Sequence, residues 1–288
     1  MSSMPLPLPP VAGVEHTWID LPTGVRIHLA TAGPADAPAV LALHGWPQHW
    51  WCWRHVIARV GDAVRILCPD LRGLGWSGWP QDGSFVKQRL ADDALALVDA
   101  LGLERVRLVG HDWGGYAALL AALTAPERLS SLLMLSMPHP WQPLGRVLRN
   151  AWRVAYQLPL ALPLAGEAVA REGSYVRMLL QGGRRDADGW GPGEVDAYVA
   201  ALRAGHGPQA SARLYRQFLV RETPGRLLDG LRRHAGLGVP ARLLYGAHEP
   251  LRAFVEGFPG DIEPVPGAGH FLPEEAPDVV AERILAMG

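Results

Sequence analysis

Cysteine is nearly missing from this chain. Cys52 and Cys68 are the two among 288 residues. Cys68 lies in the apolar run 64–68, which reads as a buried strand. The pair gives no disulfide framework and fits a reducing cytoplasm. An excess of either charge is missing too: 27 Lys and Arg stand against 28 Asp and Glu, a net of −1. With no long basic run, nucleic acid and acidic membranes are poor partners. No apolar run is long enough for a membrane span. The start of the chain has neither a basic segment nor an apolar core, so no signal peptide is expected. Its prolines favour an extended, poorly ordered segment over residues 1–12. Metal ligands at useful spacing are also lacking, with no His-Glu-x-x-His and no Cys cluster, so neither metal nor cofactor is expected.

What is present is an alternation. Strands are expected at 16–20 and 25–30, joined by a turn at 22–24. Strands at 39–43, 64–68, 106–110 and 132–137 then alternate with helices at 51–60, 85–101 and 113–123. Such alternation implies a parallel sheet covered on both faces. From 138 to 236 no buried strand is legible. Helices are expected there at 146–157, 167–180, 194–204 and 210–220. Alternation resumes with a strand at 241–245, a short helix at 251–258, a strand at 262–265 and a helix at 276–287. The late strands are too few to form a sheet alone. The organisation expected is an α/β core over 1–137 and 237–288, interrupted by a helical insertion over 138–236.

The chemistry centres on Gly110-His111-Asp112-Trp113-Gly114. A β-branched run ends at Gly110 and helix formers follow Gly115, so this is a strand-to-helix elbow of the G-x-S-x-G kind. Asp112 holds the nucleophile position. An Asp before a helix is also an ordinary N-cap. As a nucleophile, a carboxylate attacking carbon makes an ester, which suits displacement at an sp³ carbon such as an epoxide or alkyl halide.

A nucleophile needs a base, an orienting acid and donors for developing negative charge. His270 follows the last strand and a glycine turn, and the order nucleophile, acid, histidine is that of α/β hydrolases. Glu249 lies just past the penultimate strand, where catalytic groups gather in open α/β sheets. It reads either as the acid or as an N-cap for the next helix. Asp261 and Glu263 are weaker candidates. His44-Gly45-Trp46-Pro47 follows a strand, and the backbone N–H groups of Trp46 and Trp113 are candidate oxyanion donors. The segment from Asp70 to Ser77 reads as a structural turn with Asp70 and Arg72 as a local pair. It is not a phosphate loop, since no Lys-Ser/Thr follows.

With these residues in place the sequence resembles the α/β-hydrolase superfamily, and within it the epoxide hydrolase branch, related to haloalkane and haloacetate dehalogenases. The motifs are His44 to Pro47, Asp70 to Ser77, Gly110 to Gly115 and Gly267 to Pro273. The resemblance implies a mostly parallel central sheet flanked by helices, with a helical cap after the sixth strand. It implies that Asp112 attacks a ring carbon and that His270, oriented by Glu249, activates water. In the family, cap tyrosines protonate the epoxide oxygen. Leu214-Tyr215-Arg216 matches one of them, so Tyr215 is the expected general acid. Trp152 falls where the other belongs, and Tyr156 lies one helical turn on. His44, Trp152 and Tyr156 are the expected pocket residues.

The chain departs from the family in having Glu rather than Asp at 249, and His270 follows it by 21 positions, a short interval. The expected ligand is a small apolar molecule, and the expected assembly a monomer or homodimer. Two other readings stay open. One is a haloalkane dehalogenase using the same nucleophile, with Trp113 and Trp152 as halide donors. The other is a catalytically weak ligand-binding protein of the same fold, since fold does not fix function.

Overall fold

Strands β3 (Ala39–Leu43), β4 (Arg65–Pro69) and β5 (Val106–His111) are buried at nearly every position. Helices cover both faces of such parallel strands, so neither face needs polar residues. The computed structural model describes residues 6–185, 190–223 and 236–287. Five more strands complete one sheet: β1 (Glu15–Leu21), β2 (Val25–Ala32), β6 (Leu129–Leu135), β7 (Ala241–Gly246) and β8 (Asp261–Val265). Their spatial order is β1-β2-β4-β3-β5-β6-β7-β8. β2 runs antiparallel to β1 and β4, and all other pairs are parallel. In this α/β-hydrolase fold α1 (Arg54–Val60) packs against α11 (Pro277–Leu285), and α2 (Lys87–Ala100) against α3 (Trp113–Thr124).

Between β6 and β7 the described residues form α4 (Leu144–Asn150), α5 (Gln157–Ala161), α6 (Ala165–Glu172), α7 (Ser174–Gly183), α8 (Pro192–Arg203) and α9 (Gly207–Gln217). This is the helical insertion after the sixth strand. The helix expected at 146–157 is broken by a 3₁₀ turn over Ala151–Val154, and a new helix starts at Gln157. Pro159 sits in its first turn, where a missing N–H costs little. The helix expected at 167–180 is also two. Gly173 takes φ 89°, the left-handed conformation that ends helices. Of the helix expected at 251–258 only a 3₁₀ turn forms, Arg252–Phe254. A short α10 (Leu272–Glu275) precedes α11. Residues 1–5 of the proline-rich start and 224–235 of the insertion lie outside the described residues. The Leu6 carbonyl accepts a hydrogen bond from Trp76 Nε1 at 2.7 Å.

Strand register decides what meets above the sheet. Leu43 pairs with Gly110, so the chain beyond β3 leaves beside the chain beyond β5. Gly246 pairs with Val265, so the loops after β7 and β8 also leave together. All four loops emerge at the carboxyl ends of parallel strands, where open α/β sheets place their ligands.

Asp70, fully buried, is not paired with Arg72 as expected. The turn at 72–76 wraps over its carboxylate, which accepts from Trp76 N (2.9 Å), Trp50 N (2.8 Å) and His28 Nδ1 (2.8 Å). Arg72 reaches α2 instead and forms a fork with Asp93, both bonds at 2.6 Å. Burial raises the Asp70 pKa, but the His28 hydrogen bond and charge outweigh it, and the net pKa is below the ordinary 3.8. A depressed folded-state pKa stabilises the protein above the ordinary value, and that contribution is lost as pH falls through the folded value. Asp70→Asn leaves buried donors facing an amide and should cost about 3–5 kcal/mol, as breaking a buried charged pair does. Urea unfolding at neutral pH checks this. An unchanged midpoint would mean that the cluster contributes nothing.

Candidate active site

Asp112 sits at φ 51°, ψ −117°, between β5 and the first residue of α3. A non-glycine residue with positive φ is uncommon, and such strain clusters at functional sites. Close packing fixes the elbow. A Cβ on Gly110 would lie 2.4 Å from the Gly114 carbonyl oxygen, and one on Gly114 would lie 2.4 Å from that of His44. The Asp112 side chain makes no N-cap hydrogen bond of the ordinary kind. Its Oδ1 instead accepts from the Trp46 backbone N–H at 3.0 Å, and the adjoining Trp113 N–H also favours the charged carboxylate. Burial raises its pKa above 3.8, against the pull of the His270 charge and these N–H groups.

Glu249 and His270 come together as expected. His270 Nδ1 lies 2.9 Å from Glu249 Oε1, and its Nε2 lies 3.7 Å from Asp112 Oδ2. The longer glutamate and the short connection are compatible because both loops leave adjacent strand ends. Glu249 is buried, and its Oε2 has no hydrogen-bond partner among the described residues. Asp261 and Glu263 instead pair with Arg242 and Arg283. Burial lowers the His270 pKa. The Glu249 hydrogen bond and charge, with the Asp112 charge, more than offset this, so it stands above 6.5.

The cap supplies two tyrosines. Tyr215 on α9 is 1% exposed, edge-on to the rings of Trp46 and Trp113. Tyr156 lies beside it, ring centroids 6.3 Å apart and nearly perpendicular. Burial holds both phenols above 10, with the Asp112 charge adding to it. Trp46 Nε1 donates to Ser211 Oγ on α9 at 2.9 Å, tying the oxyanion turn to the cap. Asp112 borders two cavities. One, of about 300 Å³, is lined by Trp46, Tyr156, Leu179, Tyr215 and His270. The other, of about 170 Å³, is lined by Trp113, Tyr156, Val154, Phe218 and Leu251.

Two expected pocket residues are not there. Trp152 is 68% exposed, with the Arg153 guanidinium over its ring, because the 3₁₀ turn points it outward. Its place is taken by Tyr156. His44 is fully buried and lines neither cavity. Its Nε2 accepts from Leu71 N at 2.9 Å and its Nδ1 lies 2.9 Å from the Gly45 carbonyl, so it shapes the oxyanion turn from behind.

One residue of the site escaped the sequence reading. His111 Nε2 lies 2.9 Å from the His270 carbonyl oxygen. Burial holds its pKa well below 6.5, so the neutral ring donates there. Its signal was a lone polar side chain ending an apolar strand.

A mostly parallel sheet, a strained strand-to-helix elbow and a histidine after the last strand define an α/β hydrolase. Residues 38–183 match the alpha/beta hydrolase fold family. The chain is 31% identical over 291 residues to the soluble epoxide hydrolase of Corynebacterium sp., covering 91% of this chain and 93% of that protein. It is 38% identical over 119 residues to epoxide hydrolase 4 of Mus musculus. That match takes in 41% of this chain and spans 33% of the mouse protein's length. In structure it is similar to epoxide hydrolase A from Mycobacterium thermoresistibile, with TM-score 0.80 and 25% identity, covering 95% of this chain and 98% of the other. The chain belongs to the α/β-hydrolase family and to its epoxide hydrolase branch.

Measured by NMR, the His270 imidazole should titrate above 6.5. Glu249→Gln should bring it below 6.5, because burial then dominates. A titration unmoved by the substitution would separate Glu249 from His270.

Proposed function

We propose that this protein hydrolyses apolar epoxides to vicinal diols through an alkyl ester on Asp112. The observation that carries the reading is the placing of one carboxylate beside two sets of partners. The His270–Glu249 pair stands at Asp112, and Tyr156 and Tyr215 line the same largely apolar cavity as Asp112 and His270. Asp112 Oδ2, the oxygen toward His270, attacks a ring carbon. The ring C–O bond breaks, and its oxygen takes a proton from Tyr215 or Tyr156. The ester keeps every atom of the substrate. His270 Nε2 then takes a proton from water, and the hydroxide adds to the carbonyl carbon of the ester.

Trp46 and Trp113 hold the resulting oxyanion through their N–H groups, each worth roughly 2.7–4 kcal/mol to the transition state. Collapse releases the diol, whose oxygen takes the proton from His270. The proton left on the Asp112 carboxyl returns to the tyrosine, so the cycle consumes a single water. Tyrosines whose pKa values are raised by burial stay protonated at neutral pH, as a general acid must.

The dehalogenase reading needs paired N–H donors for a halide. Trp113 Nε1 is buried with no hydrogen-bond partner among the described residues, but Trp152 faces solvent. Paired hydroxyls at the nucleophile favour an alkoxide that must be protonated. A pure ligand-binding role would need neither the elbow nor the His270–Glu249 pair.

His270→Gln incubated with an aryl epoxide should gain the full epoxide mass, and the adduct should vanish in the Asp112→Ala double variant. A bromoalkane adduct, lighter than its reagent by HBr, with none from epoxides would favour dehalogenation. Normal turnover by His270→Gln would remove His270 from the chemistry. Tyr215→Phe should slow alkylation about 10²–10⁴-fold, the usual loss on removing a general acid. An unchanged alkylation rate would show that Tyr215 only packs.

A further inference from the structure

The backbone N–H groups of Gly269, His270 and Phe271 are each committed to a partner. The His270 N–H donates to the Gly183 carbonyl at the end of α7, at 2.8 Å. The His270 carbonyl accepts from His111 Nε2 and from Leu272 N at 3.1 Å. The flanking N–H groups both go to one side chain. Glu275 Oε2 accepts from Gly269 N at 2.9 Å, and Oε1 accepts from Phe271 N at 2.9 Å. Oε2 also accepts from Arg185 N at 2.7 Å, where the chain leaves α7 of the cap. The half-buried carboxylate is therefore a three-way junction between both neighbours of the base and the cap.

We infer that Glu275 is a positioning residue for His270, holding the loop so that Nε2 faces Asp112 while the cap is seated. Converging N–H donors call for a group that only accepts hydrogen bonds, which an ionised carboxylate does. Hydrogen bonds from N–H to a charged acceptor are about twice as strong as neutral ones. A glutamine of the same shape must turn its amide N–H₂ toward at least one of these donors. The residue touches neither substrate nor nucleophile, and its effect runs through His270.

This inference rests on the ester mechanism proposed above for its kinetic test. There the step that uses His270 is hydrolysis of the ester, whereas alkylation uses Asp112 and the tyrosines. Glu275→Gln, mixed rapidly with an aryl epoxide and followed by intact mass, should alkylate at the wild-type rate. It should hydrolyse the ester about 10–100-fold more slowly, the scale of loss from misplacing a reacting group. Ester should accumulate in the steady state. A merely structural role would lower the amount of active enzyme without raising the alkylated fraction, and that result would overturn the inference.

His270→Gln is run alongside. Absence of ester there counts against the mechanism. Ester there, with wild-type partitioning in Glu275→Gln, counts against the positioning role alone. Amide exchange supplies a readout that needs no turnover. Gly269 and Phe271 N–H should exchange faster in Glu275→Gln, and unchanged protection would overturn the inference.

Should that variant fail to fold, Arg185→Pro removes the N–H that the cap gives to Glu275, together with an exposed side chain. Arg184 already has φ −85°, ψ 150°, a conformation that accepts a following proline. Slower ester hydrolysis is expected there too, and wild-type hydrolysis would overturn the link to the cap.

Discussion

A carboxylate buried at a strand-to-helix elbow is the constraint on which the rest of the site depends. Burial opposes the charge of Asp112, and an uncompensated charge in such a place is costly. The Trp46 and Trp113 N–H groups and the imidazole of His270 offset part of that cost. In the proposed mechanism the same donors serve an oxyanion when the carboxylate becomes an ester. Stabilising the resting charge and stabilising the transition state are thus one arrangement, set before substrate arrives. The geometry follows from sheet register, which brings the loops after β3, β5, β7 and β8 to one edge.

The cap is joined to this arrangement through polar contacts made near the site. Trp46 reaches Ser211 on α9, the His270 N–H reaches Gly183 on α7, and Arg153 reaches the Pro250 carbonyl at 2.9 Å. Farther out, Arg54 on α1 bonds Glu194 on α8 at 2.7 Å and Glu274 at 2.8 Å, with the Tyr198 hydroxyl on the same Glu274 oxygen. Burial raises Glu274 to about 7, against the pull of Arg54. These ties fix where Tyr156 and Tyr215 stand relative to Asp112, so the insertion completes the site as well as covering it.

Much of this was legible in the residues. The apolar runs that became β3, β4 and β5 are continuous because both faces are covered, and such runs read clearly. The meeting of Asp112, Glu249 and His270 was legible because each lies in the loop that leaves the carboxyl end of a strand. The cap was harder. Its helices are interrupted at Gly173 and before Pro159, and helical periodicity continues across such breaks. That is why Trp152 was placed in the pocket and Tyr156 was left as a substitute. His44 and the Asp70–Arg72 pair failed for another reason. A polar residue beside a motif looks functional, but its partner is chosen by the turn of the chain, as His44 to Leu71 N and Arg72 to Asp93 show.

The central claim is that a carboxylate oxygen of Asp112, and not a water oxygen, bonds to the substrate carbon. A single turnover in heavy-oxygen water, with enzyme in excess over an aryl epoxide, tests it directly. The account predicts an unlabelled diol from that first turnover, with the heavy oxygen in the peptide that carries Asp112. Label in the first-turnover diol, with none in the protein, would mean that water attacks the ring itself and would contradict the account.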